Sequence, residues 1–172
     1  MTPQVGIVLG SASDEPLAQK AASVLKDFGV EFEVTVASAH RTPVDAQRYA
    51  QNAARRGLKA LIAVAGLSAA LPGVLASHTL LPVLGVPASG GALTGLDALY
   101  AIAQMPSGVP VGCLGIDGAS NAALLAVRIV ALSDRDVAAR LVEYRDKNAQ
   151  KTRDSRAKLS GLPLAPDDAF QE

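Results

Sequence analysis

The sequence predicts an α/β fold in which five parallel strands are covered by helices on both faces. Short β-branched or apolar runs alternate with stretches of helical spacing, which implies right-handed strand–helix–strand units. The later runs are continuously apolar, as strands buried on both faces must be. Between Lys59 and Arg128 only Asp97 and Asp117 carry a charge, so the middle of the chain has little to offer solvent. At 172 residues the chain is long enough for one domain with a sizeable core.

Each element has a local reason. Val5–Leu9 is short, apolar and β-branched, and ends at Gly10. Asp14 can cap the helix that follows, with Pro16 in its first turn. That helix places Leu17, Ala21, Val24, Leu25 and Phe28 at helical spacing, and Gly29 stops it. Phe32–Ala37 reads as the second strand. Thr42 caps the next helix, with Pro43 at its first position and Asp45 in its first turn, and Gly57 ends it. Ala60–Ala65, Val83–Val86 and Val111–Ile116 read as strands three to five. Helices are expected near Ala69–His78, Leu96–Met105, Asn121–Leu132 and Asp134–Lys158, with Pro106 closing the second of these. The expected organisation is a single domain over 1–160 and an extended or disordered tail over 161–172, rich in Pro and acids. The architecture is a three-layer αβα sandwich, flavodoxin-like, with a long C-terminal helix.

Composition excludes several functions. Sixteen Lys and Arg balance sixteen Asp and Glu, whereas nucleic-acid and membrane-surface binders need a basic excess. Three Tyr, three Phe and no Trp leave little for base stacking. One cysteine permits neither an internal disulfide nor a cysteine-based zinc site. The uncharged run Ala60–Leu96 is broken by Gly66, Pro72, Gly73, Pro82, Gly85 and Pro87, so it reads as buried elements and not as a membrane span. So much apolar surface in a small domain implies subunit contacts. MTPQVGIVLG has no basic start before a long apolar run, so no signal peptide is read and a cytoplasmic location is expected.

Parallel sheets of this kind bind ligands beyond the carboxyl ends of their strands. The loops expected there are Gly10–Asp14, Ser38–Pro43, Ala65–Gly73, Ala88–Gly95 and Asp117–Asn121, rich in small donors and poor in bulk. In the first loop, Ser11 and Asp14 suit a phosphate or a sugar hydroxyl, while Ser13 or Asp14 can equally cap the helix. In the second, His40 can move a proton near neutral pH and Arg41 can grip a phosphate; the alternative is an exposed histidine beside an Arg41–Asp45 pair. His78 reads as structural, at the far end of the sheet. The two histidines have no third ligand in reach, so no metal site is expected. Cys113 reads as a buried structural thiol.

The motifs Gly10-Ser-Ala-Ser-Asp14, Ser38-Ala-His-Arg-Thr-Pro43, Leu71-Pro-Gly73, Pro82-Val-Leu-Gly-Val-Pro87, Gln104-Met-Pro-Ser-Gly-Val-Pro110 and Asn121-Ala-Ala-Leu-Leu-Ala126 occur in order over roughly residues 4–150. Together they resemble the N5-carboxyaminoimidazole ribonucleotide mutase family of purine synthesis. The resemblance implies conversion of N5-carboxyaminoimidazole ribonucleotide to 4-carboxy-5-aminoimidazole ribonucleotide, without metal or cofactor, in a homo-octamer. It implies His40 as the acid/base, Ser11 and Asp14 on the ribose-phosphate, Arg41 on the phosphate, and Ser38 supporting the loop. Gly66, Ser68, Ala70 and Leu71 of the third loop, where carbon dioxide would be held, and Ser89 of the fourth complete the implied binding set. The third loop departs from the mutase pattern: Ala70 stands where those enzymes usually carry a second histidine. The related carboxylases, which use free carbon dioxide, have Ser and Ala there, but usually Arg at the place of Leu67 and Lys at the place of Arg41. The alternatives are therefore a carboxylase using free carbon dioxide and, from another class, a ribonucleotide-binding module without catalysis.

Overall fold

A computed structural model describes residues 2–170. The chain forms two compact units, Met1–Ala138 and Ala139–Glu172. The first holds a five-stranded sheet: β1 (Val5–Leu9), β2 (Phe32–Val36), β3 (Ala60–Gly66), β4 (Val83–Ala88) and β5 (Gly112–Cys113). All strand pairs are parallel and their order is β2-β1-β3-β4-β5, the order of flavodoxin-like sheets. The connecting helices are α1 (Glu15–Asp27), α2 (Pro43–Ala53), α3 (Leu71–Ser77), α4 (Leu96–Ala103) and α5 (Ala119–Ala131). A last helix, α6 (Arg135–Asp154), runs on into the second unit.

The helices divide between the two faces of the sheet. Val8, Leu61 and Ala63 on one face pack in a single core with Ala46 and Ala50 of α2, Leu75 of α3, and Ala98 and Ile102 of α4. On the other face α1 packs along α5, which rests on β3 and β4. β1, β3 and β4 are buried nearly throughout, which explains their unbroken apolar sequence. Helix and sheet approach closely at Gly85, where an added Cβ would lie 2.5 Å from Ile102 Cγ2 and 3.1 Å from Val111 Cγ1. At the β2 edge, the half-buried Tyr49 hydroxyl donates to Glu33 Oε1 at 2.7 Å, and Arg56 pairs with the same carboxylate.

Two expectations change on folding. The last strand is two residues long, not Val111–Ile116, because its partner runs out of regular ladder. Pro87 of β4 has no N–H to offer, and its carbonyl is taken by the Asp117 N–H at 2.9 Å, so the chain turns away. The third helix starts at Leu71, two residues late, because Leu67 and Ala69 take left-handed backbone conformations with φ of 52° and 30°.

In the second unit α6 continues to Asp154, followed by 3-10 turns at Ser155–Leu159 and Asp167–Phe170. The Arg156 guanidinium lies 3.9 Å from the Phe170 ring centroid. Of the tail expected over 161–172, residues 171 and 172 lie outside the described residues. Among the described residues no helix is long and apolar enough to cross a membrane.

Candidate functional site

The loops after β1 to β4 meet in one cavity of about 640 Å³ at the carboxyl edge of the sheet. Ser11, Asp14, Ser38, His40, Arg41, Gly66, Ser68, Ala70, Leu71 and Ser89 all line it. His78 and Cys113 do not. His78 ends α3, where its N–H donates to Leu75 O at 3.0 Å. Cys113 is only partly buried, and that burial raises its thiol above the ordinary value, which suits an inert group.

The first loop resolves the two readings of its polar residues. Ser11 is the cap: its Oγ accepts from the Ser13 N–H at 3.3 Å and from the Ser13 hydroxyl at 2.9 Å. Asp14 precedes α1 but makes no side-chain capping bond, and it lines the cavity. Partial burial raises the Asp14 carboxyl above the usual value, against the smaller opposing effects of the Ser11 N–H and the Ser13 hydroxyl.

The second loop is a closed knot of hydrogen bonds. Thr42 does not cap α2 with its side chain. Instead its Oγ1 accepts from the Ser38 N–H at 2.9 Å and donates to the Ser38 carbonyl at 3.4 Å. Ser38 Oγ in turn accepts from the Arg41 N–H at 3.2 Å and from Arg41 Nε at 3.4 Å. Arg41 Nη2 donates to Gly10 O at 3.1 Å, so the guanidinium clasps the first loop to the second and forms no pair with Asp45. His40 is exposed beside it. Arg41 is the only Lys or Arg on the cavity wall among the described residues.

The third loop supplies small groups. Its Leu71 side chain is 2% exposed and anchors in the core, while Ala70 brings only a methyl group to the wall. The Ala69 N–H closes a turn onto Gly66 O at 3.1 Å. Among the described residues, every non-glycine residue with positive φ (Leu67, Ala69, Thr94, Asp117) lies on the loops after β3, β4 and β5. Such conformations cost about 1–3 kcal/mol each and persist only where surrounding structure enforces them.

The fifth loop does not line the cavity as expected; it braces the fourth from behind. Asp117 accepts from the Ser89 N–H at 2.8 Å and from the Ser89 hydroxyl at 2.6 Å. Those two bonds hold its carboxyl below the usual carboxylate range, helped by Lys20. Sequence analysis put Asp117 on a rim loop but assigned it no role, although its charge, one of two in a long neutral stretch, was a visible signal. Among the described residues no group of three or more His, Cys, Asp or Glu could hold a metal ion.

The arrangement sets one cation and one histidine in a cavity whose other walls are mostly small and neutral. That suits an anionic ligand whose reacting part needs a proton carrier and little bulk. The chain is 48% identical over 160 residues to the N5-carboxyaminoimidazole ribonucleotide mutase of Pyrococcus horikoshii, covering 93% of this chain and 90% of that protein. It is 51% identical over 142 residues to the phosphoribosylaminoimidazole carboxylase of Saccharomyces cerevisiae, covering 83% of this chain but 25% of that longer protein. The crystal structure of Treponema denticola PurE superposes with a TM-score of 0.82 at 34% identity, covering 91% of this chain and 98% of that one. The family model described as AIR carboxylase matches residues 4–151, and the chain belongs to that family.

Proposed function

We propose that the protein converts N5-carboxyaminoimidazole ribonucleotide to 4-carboxy-5-aminoimidazole ribonucleotide in purine synthesis. The observation that carries this reading is the convergence of Asp14, His40 and Arg41 on one cavity whose remaining wall is small and largely apolar. Arg41, already oriented by Gly10 and Ser38, holds the phosphate. Asp14 and Ser11 take the ribose-phosphate portion. The base then reaches the third and fourth loops, with Gly66, Ser68, Ala70, Leu71 and Ser89 around it.

The reaction needs positioning and one proton carrier. Breaking the carbamate N–C bond releases carbon dioxide and leaves the electron pair on the exocyclic nitrogen, which takes a proton from the His40 imidazolium. The electron-rich C4 then attacks the carbon dioxide held at the third loop, forming the C–C bond. Neutral His40 removes the C4 proton and returns to its starting state. Substrate and product are isomers and no co-reactant is consumed. No metal or cofactor enters this scheme.

A second reading is the direct carboxylase, in which carbon dioxide comes from solution. The wall of the third loop favours it, because Ala70 brings no imidazole to help release carbon dioxide from the carbamate. The homo-octameric assembly and cytoplasmic location belong to the same proposal. Exposed Leu67, Leu93, Leu96 and Tyr100 support subunit contacts near the site.

The test is product formation from two mixtures, with His40→Asn as control. One contains N5-carboxyaminoimidazole ribonucleotide without bicarbonate, the other aminoimidazole ribonucleotide with excess bicarbonate. Turnover of the first is expected, falling about 10²–10⁴-fold in the variant. Turnover of the second alone would replace the mutase by the carboxylase. No turnover in either mixture would leave a ribonucleotide-binding module.

A further inference from the structure

The Ser89–Asp117 pair has a hydrogen-bond polarity that decides what the cavity can recognise. A carboxylate has lone pairs but no proton to give. Asp117 therefore receives both the Ser89 N–H at 2.8 Å and the Ser89 hydroxyl proton at 2.6 Å. A serine hydroxyl has one proton only. With that proton committed to Asp117, Ser89 Oγ can offer a ligand nothing but lone pairs.

Asp117 is built to stay in place. Its own N–H donates to Pro87 O at 2.9 Å, and its backbone is held at φ 56°. The fourth loop is pressed against the third as well: a Cβ added at Gly91 would lie 2.7 Å from Leu67 Cδ2. Ser89 is therefore an oriented acceptor on a braced loop.

The sheet order says which part of a ligand meets it. Strands run β2-β1-β3-β4, so Arg41 and Ser11 stand at one end of the rim and Ser89 at the other. Taking the ribonucleotide reading proposed above, the phosphate lies at the Arg41 end and the base at the Ser89 end. In an aminoimidazole ribonucleotide, N1 carries the ribose and N3 has no proton. The exocyclic amine is the base's only N–H donor, and it is the nitrogen at which the reaction begins.

We propose that Ser89 Oγ accepts a hydrogen bond from this exocyclic nitrogen, and that Asp117 is a positioning residue that fixes the polarity by holding the hydroxyl proton. Replacing Asp117 by Asn tests the logic directly. Asn tolerates a left-handed backbone. Its oxygen keeps the Ser89 N–H, so its NH₂ faces Ser89 Oγ and turns the hydroxyl proton toward the ligand. An acceptor becomes a donor without loss of size.

The experiment is calorimetric titration with 5-aminoimidazole ribonucleotide and with imidazole ribonucleotide, which lacks the amine. The proteins are wild type, Ser89→Ala, Asp117→Asn and Asp117→Gly. Wild type is expected to bind the amine form about tenfold tighter. All three variants should bring that ratio to within about twofold of unity. A merely structural role would weaken both ligands together and leave the ratio alone. An unchanged ratio in Ser89→Ala overturns the contact. An unchanged ratio in both Asp117 variants overturns Asp117's part, and the glycine variant, suited to the positive φ, decides if Asn does not fold. If wild type binds neither compound, the ribonucleotide reading itself fails.

Discussion

Replacement of Arg41 by Ala separates binding from stability in a way the structure makes quantitative. The guanidinium has five N–H donors, and two are engaged, by Ser38 Oγ at 3.4 Å and Gly10 O at 3.1 Å. Three remain for a phosphate. Hydrogen bonds to charged groups are worth about 1.5–3 kcal/mol, and exposure of the side chain discounts that figure. Loss of Arg41 should therefore lower kcat/KM for the ribonucleotide by about 10- to 100-fold. The loss should fall on KM, since Arg41 grips a group that does not react. The same exposed bonds contribute less than about 1 kcal/mol to folding, so Tm should fall by no more than about 2–4 °C. Arg41→Lys keeps the charge but not the fork, and should lie between Ala and wild type. The assay is steady-state kinetics with the ribonucleotide and with the corresponding nucleoside, which lacks the phosphate. The nucleoside should be turned over poorly by wild type and no worse by Arg41→Ala. An equal loss for both substrates would refute the reasoning, because Arg41 would then be shaping the loop and not binding phosphate.

Two further expectations concern the scaffold. In Gly85→Ala the new methyl meets Ile102 Cγ2 at 2.5 Å, and Ile102 is 1% exposed with no room to swing. The cost should be about 1–3 kcal/mol, read by calorimetry as a Tm lowered by about 2–10 °C; a shift under about 1 °C would show that the α4 contact yields freely. Asp117 has its folded pKa lowered from 3.8, so its ionised form stabilises the fold above that value, and the contribution is lost as pH falls through the folded pKa. Asp117→Asn should accordingly be less stable than wild type by about 1 kcal/mol in urea titrations at neutral pH. The gap should hold down to about pH 5 and close only below about pH 4; a gap that widens on acidification would contradict the assignment.

Much of this protein was legible from short-range pattern. Continuous apolar runs predicted β1, β3 and β4 because burial on both faces selects for them. Pro16, Gly29 and Pro43 marked helix ends within a residue or two, and Gly57 closes the 3-10 turn Ala54–Arg56 that extends α2, since backbone geometry near Pro and Gly is intrinsic to those residues. The candidate site was legible for the same reason. Once strands alternate with helices in a parallel sheet, the residues after each strand must share one rim, and Ser11, His40, Arg41, Ser68 and Ser89 do.

Tertiary structure decided which of several local partners each polar side chain takes. Asp14 and Thr42 were equally good caps by sequence, yet neither side chain caps: Thr42 turns to the Ser38 backbone within its own loop, and Asp14 lines the cavity. Arg41 had Asp45 four residues away, but the neighbouring strand brought Gly10 O, 31 residues away in sequence, within 3.1 Å. Ser89 and Asp117, 28 residues apart, meet only because β5 ends early where Pro87 interrupts the ladder. The sequence by itself determined the elements, their alternation and the rim on which the chemistry sits, since these follow from interactions within a few residues. The folded sheet alone determined strand order, loop bracing and hydrogen-bond polarity, because those are set by contacts between segments that no local pattern encodes.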